Sequence, residues 1–173
     1  MKKLYSLLIL TLCFALLASC SHKDSDVPQG MKIASGEYSD YNLYVPEKWT
    51  VETSTGVITA KYSDSVMVNV TMTAASLIDG VSTLDEYWNW FRESFEQNIT
   101  GFQEEANEDM LLDGHAAKKY IYSGAVAGVD VKYLQCICIK DNAVYIFTYT
   151  ASPEQYDQYT DDIDRMLETF TFK

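Results

Sequence analysis

Histidine is scarce in this chain: His22 and His115 are the only two among 173 residues. A metal centre or a nucleophile–base pair built on imidazole therefore has almost nothing to draw on. Cysteine is confined to Cys13, Cys20, Cys136 and Cys138, too few for the disulfide framework that staples many small secreted domains. Basic residues are outnumbered, 13 against 25 acids, for a formal net charge of −12. Such a surface repels phosphate backbones and anionic lipid headgroups alike, which excludes nucleic-acid binding. No internal repeat and no second domain is visible.

A long membrane span is missing as well. The one extended apolar run, Leu4 to Ala18, has 15 residues, short of the roughly 20 that a spanning helix needs. Lys2 and Lys3 precede it and no basic flank follows, the pattern of a secretory signal over residues 1–19. The run ends in Leu17-Ala18-Ser19-Cys20, which resembles the bacterial lipobox. Small side chains there admit the peptidase, and the thiol is the nucleophile that takes a diacylglyceryl group. The resemblance implies a mature protein that begins at lipid-modified Cys20, on the extracytoplasmic face of a bacterial cell envelope. Two or three acyl chains, at about 0.8 kcal/mol per buried CH₂, would give a stable anchor. Loss of the leader removes two basic residues, leaving 11 against 25 acids and a net charge of −14. Membrane contact is thus expected through the acyl chains and not through a basic patch.

Residues 20–36 are polar, with Pro28, Gly30 and Gly36 and no periodicity, and read as a flexible tether that includes His22. The folded domain is expected over residues 37–173. "YNLYVP" sets Tyr41, Leu43 and Val45 against Asn42 and Tyr44. "VITAKYS" and "SVMVNVTMT" form a hairpin candidate, the second arm placing Val66, Val68, Val70 and Met72 on one face. Asp113-Gly114 separates "MLL" from "HAAKKYIYS", and Asp141-Asn142 joins "VDVKYLQCICIK" to "AVYIFTYT". In the last of these Val144 and Ile146 oppose Tyr145, Phe147 and Tyr149, so both faces are apolar and both must be covered.

Two segments have helical period. "STLDEYWNWFRESFEQN" opens with Thr83 and Glu86 at capping-box spacing, with Ser82 as the other cap candidate. Leu84, Tyr87, Trp88, Phe91 and Phe95 then form one stripe. "SPEQ" starts the second, with Ser152 as cap and Pro153 at the first helical position. Tyr156, Tyr159, Ile163, Met166, Leu167 and Phe170 continue its buried side.

The order of elements, together with "YNLYVPEKW", "LLDGHAAKKYIY", and "AVYIFTYTAS" leading into "YTDDIDRMLETFTF", resembles the PsbP-like family. The likeness runs from about Tyr41 to Phe172 and extends to bacterial envelope lipoproteins of the PsbP/DcrB-like type. It implies an α+β fold: an α/β/α sandwich with a central antiparallel sheet of about six to seven strands and two main helices. It also implies a non-catalytic module that assists or binds something else, and it carries over no active-site residues and no cofactor. The motifs are structural, so they speak to fold more than to function.

The residues with chemical potential are few. His115 follows the Asp113-Gly114 turn, where polar residues sit for turn reasons. Cys136 and Cys138, two apart on a strand, would hold their Cβ atoms about 6–7 Å apart, against the ~3.8 Å of a disulfide. No other Cys or His completes a metal set with them. Asp157, Asp161, Asp162 and Asp164 lack the spacing of a calcium loop and read as the solvated face of the last helix. Trp90 lies off the buried stripe beside Glu93 and Gln97. It is either an interface anchor or a residue that a loop or neighbouring strand covers. Tyr41, Tyr44, Trp49, Tyr120 and Tyr122 form a candidate groove for stacking on glycan or peptide. The expected function is a lipid-anchored, non-catalytic module that binds an envelope protein or a glycan; the alternative is an envelope hydrolase using paired carboxylates.

Overall fold

The computed structural model describes residues 27–173, so the leader and Cys20 lie outside the described residues. Three short strands come first: β1 (Met31–Ile33), β2 (Tyr41–Asn42) and β3 (Tyr44–Pro46). They are followed by β4 (Thr50–Ser54), β5 (Val57–Lys61) and β6 (Val68–Ser76), then the helix α1 (Leu84–Asn98). Four long strands run back and forth, β7 (Thr100–Leu112), β8 (His115–Val126), β9 (Val129–Lys140) and β10 (Ala143–Ala151). The chain closes with α2 (Pro153–Tyr156), a 3₁₀ turn (Asp157–Tyr159), α3 (Thr160–Thr169) and β11 (Thr171–Phe172).

Seven strands pair antiparallel in the order β4-β5-β6-β10-β9-β8-β7. Four of their hairpins turn on two residues in the left-handed region, whereas residues 62–67 join β5 to β6 without one. Asp113-Gly114 (φ 46° and 76°) and Asp141-Asn142 (φ 50° and 63°) do so as expected. Thr55-Gly56 and Ala127-Gly128 do the same without the usual Asn or Asp in front. The twist of such turns matches that of the strands they join.

Strand period then sorts the side chains onto two faces. From β10, Tyr145, Phe147 and Tyr149 enter one buried cluster, with Val68, Val70 and Met72 of β6 and Cys136 and Cys138 of β9. Ile163, Met166 and Leu167 of α3 cover that cluster, with Leu43 and Val45 from the N-terminal strands. Val144 and Ile146 enter the other cluster, under Tyr87 and Trp88 of α1. The result is an α+β sandwich, one helical layer on each side of the sheet. The capping box at α1 is formed: the Glu86 amide donates to Thr83 Oγ1 at 3.2 Å, and the Thr83 amide donates to Glu86 Oε2 at 3.1 Å. Thr83 is thus the N-cap, and Ser82, the other candidate, instead donates to the same carboxylate through its amide and its hydroxyl.

Four features differ from the sequence reading. The fold begins before residue 37: β1 pairs with β3, Met31, Ala34 and Ser35 are buried, and the Leu43 amide donates to Ser35 Oγ at 3.2 Å. A three-residue strand carries too little pattern to be seen in advance. Tyr44 does not oppose Tyr41, Leu43 and Val45 but is buried with them, because the chain changes partner at Leu43, whose carbonyl accepts from the Ala34 amide. β7 extends well beyond "MLL", back to Thr100. Finally, the C-terminal helical segment is broken by the 3₁₀ turn at Asp157–Tyr159. Ser152 sits at the N-cap, yet its hydroxyl donates to Gln155 Oε1 at 3.3 Å and caps no backbone amide.

Candidate functional site

The aromatic groove expected from Tyr41, Tyr44, Trp49, Tyr120 and Tyr122 does not form, and this corrects the sequence reading. All five are buried, the first three in the cluster beneath α3 and the last two in the cluster beneath α1, with the sheet between them. Tyr41 stacks on Phe170, Tyr120 on Trp88 and Tyr122 on Tyr133. Trp49 has no exposed surface, and its indole donates to Asp162 Oδ2 at 3.3 Å. Burial pushes the Tyr41 phenol up to about 12, with the Asp40 charge adding to it. Tyrosine enters strands because its ring packs well there, so abundance did not signal a ligand surface.

Trp90 is placed differently. It is 53% exposed on the outer side of α1, its ring 6.2 Å from that of Tyr87 and 5.9 Å from that of Phe91. No loop or strand among the described residues covers it.

The remaining chemical candidates are occupied by structural work. His115 Nδ1 lies 2.9 Å from the Asp113 carbonyl oxygen, and the ring meets Phe172 edge-on at 4.9 Å. Cys136 and Cys138 are free and buried, and burial pushes their thiols up to about 12 and about 11. Asp162 joins Lys48 at 3.2 Å and the Trp49 indole, which fastens α3 to the turn before β4. Among the described residues three carboxylates have displaced pKa values, all downward. Glu86 is lowered by the Ser82 and Thr83 donors, Glu105 by Lys132 and Ser123, and Asp141 by Lys140. A general acid needs the opposite displacement. Among the described residues no group of three His, Cys, Asp or Glu is arranged to hold a metal ion, and no helix is long and apolar enough to cross a membrane.

A cleft of about 210 Å³ opens on the α3 side of the sheet, between α3 and the outermost strand, β7. Met110 and Leu167 line it, Leu111 stands at its rim 67% exposed, and Asp164 and Glu168 form its helical wall. Opposite them Glu108 is paired with Lys119. None of these residues was a site candidate from sequence. One signal was available: in "MLL" consecutive apolar residues must face opposite sides of a strand, so one of them points away from the core.

An antiparallel α+β sandwich with a shallow edge cleft is the class that fold and site define. The DcrB family model matches residues 42–169, and the chain belongs to that family. Among solved structures, the cyanobacterial PsbP (CyanoP) of Synechocystis is similar, with a TM-score of 0.64 at 13% identity over 91% of this chain and 99% of that one. A protein of unknown function from Pseudomonas aeruginosa is similar at 0.61 and 19% identity, over 83% of this chain and 97% of its own. LpqN of Mycobacterium tuberculosis, a protein involved in cell envelope biogenesis, matches at 0.51 and 17% identity, over 77% and 83%. A comparison with curated proteins finds no match.

Proposed function

We propose that this protein is a lipid-anchored accessory module of the bacterial cell envelope, held at the membrane by acyl chains on Cys20, whose folded domain works by contact with a partner and not by catalysis. Membership of the DcrB family and the likeness to LpqN, a protein of envelope biogenesis, support the envelope setting. The observation that carries the contact reading is Trp90, a large aromatic left 53% exposed on a helix whose other aromatic side chains pack inward. Tryptophan is among the residue types enriched at interface hot spots. Glu86, Glu105 and Asp141 are held low by neighbouring donors, which suits none of the three to the general-acid half of the hydrolase alternative.

The experiment is photocrosslinking in intact cells, with a photoreactive residue in place of Trp90 in the full-length chain. A discrete adduct that weakens when Cys20→Ala releases the protein from the membrane supports the reading. The same yield of diffuse products from position 90 and from exposed Glu93 would overturn it.

A further inference from the structure

We propose that the free edge of β7, with the cleft between it and α3, is a docking groove for an extended, positively charged peptide segment of a partner protein. This rests on the contact reading above and gives it a second surface and a chemistry.

The edge itself is the first argument. β7 is last in the sheet, and no described strand pairs with its outer side. Natural proteins blunt such edges with proline, lysine, bulges or short length. β7 has thirteen residues and contains neither proline nor lysine. Its register shifts against β8 lie between Thr100 and Ala106, so from Ala106 to Leu112 the pairing is regular and the outer backbone groups are presented in sequence. The opposite edge strand, β4, has only five residues. A regular stretch of free edge, such as Ala106–Leu112, is what strand addition by a peptide requires.

The cleft supplies the second argument, because it adjoins that same regular stretch. Met110 and Leu167 give it an apolar floor. Side chains of an added strand that point toward α3 would meet this floor.

Charge decides the occupant. Of the acids of β7, Glu104, Glu105 and Glu108 are paired with Arg92, Lys132 and Lys119, and Asp109 shares Lys118 with Asp85. Asp164 and Glu168 on α3 have no cationic partner among the described residues, and they repel one another across one helical turn. Glu168 also lies in the last turn of α3, which holds no basic residue, where the helix dipole disfavours an acid. Two local rules of helix electrostatics are thus broken at the wall of the cleft. A lysine or arginine on the docked segment would relieve both, whereas an acidic segment would add to the repulsion.

The test uses the mature lipidated protein in detergent and a fluorescent decapeptide of alternating lysine and valine, with alternating glutamate and valine as its counterpart. Binding is read by anisotropy, and strand addition by amide hydrogen exchange. Asp164→Lys with Glu168→Lys is compared with Asp157→Lys and Asp161→Lys, which change net charge equally on exposed positions outside the cleft. The expected result is binding of the basic peptide alone, a loss of about tenfold or more for the first pair against less than about twofold for the second, and slowed exchange within Ala106–Leu112. Equal losses for the two pairs, or binding with no slowing on β7, would overturn the proposal. So would slowed exchange on β7 without peptide in a protein that light scattering shows to be dimeric, since a second copy then fills the edge. If the groove fails in this way while the Trp90 crosslink persists, the accessory reading stands without it.

Discussion

Trp88 of α1 lies flat on Tyr120 of β8, ring centroids 3.8 Å apart and planes 11° from parallel. The pair joins helix to sheet at the centre of one core, and it has an unequal chemistry. The Trp88 indole donates to Glu104 Oε2 at 3.2 Å, while the Tyr120 hydroxyl is buried with no hydrogen-bond partner among the described residues. Trp88→Ala should cost about 3–5 kcal/mol. Tyr120→Phe should be neutral or stabilising by about 1–2 kcal/mol, since it removes an unsatisfied group and keeps the stack. Urea denaturation of the two variants measures both; a large loss for Tyr120→Phe would mean that the hydroxyl has a partner.

Trp90, two residues on, should behave in the opposite way. Its ring contributes little to either buried cluster, so Trp90→Ala should change stability by about 1 kcal/mol or less. The same denaturation series reads this directly, and a loss of several kcal/mol would place the ring in the core.

Gly124 is a second position where size matters. A Cβ there would lie 2.3 Å from Ile99 Cγ2 and 3.0 Å from the Thr100 carbonyl oxygen, where the chain leaves α1 and enters β7. Gly124→Ala should therefore destabilise by about 1–3 kcal/mol, as overpacking does, visible as a lowered urea midpoint.

The pH dependence has a defined sign on each side. Glu105 is held below its ordinary value of 4.5 by Lys132 and Ser123. Its contribution is present above pH 4.5 and is lost as pH falls through the depressed folded value. Cys136 and Cys138 are held above their ordinary value of 9.0, at about 12 and about 11. Their contribution is present below pH 9 and is lost as pH rises toward those values. At pH 8.5 iodoacetamide should leave both thiols unmodified in the native protein and label both in urea. Labelling of either in the folded state would contradict their burial.

At the end of α3, Glu168→Lys should raise stability by about 0.5 kcal/mol, replacing a like-charge pair with Asp164 and complementing the helix dipole. Thermal melting at low and high salt checks it, the gain shrinking as salt screens the charges.

Much of this architecture was legible because particular residues carried strong local signals. Thr83 and Glu86 marked the start of α1, and Val144 through Tyr149 announced a strand covered on both sides. β7 was not legible over Thr100–Asp109, because an edge strand has one unpaired side and its acids face lysines of β8 and β9, partners that sequence spacing cannot show. The tyrosines misled for the converse reason: buried phenols and ligand-stacking phenols look alike until packing is known. Asp164 looked like part of an ordinary solvated face, and only the position of α3 over the sheet puts it, with Glu168, on a cleft.

The proposed role requires a domain tethered by lipid to a membrane. Mass spectrometry of the N-terminal peptide from protein purified out of the membrane fraction tests that most directly. The predicted result is a peptide beginning at Cys20 with the mass of a diacylglyceryl group on its sulfur; a chain beginning at Met1, or an unmodified Cys20, would contradict it.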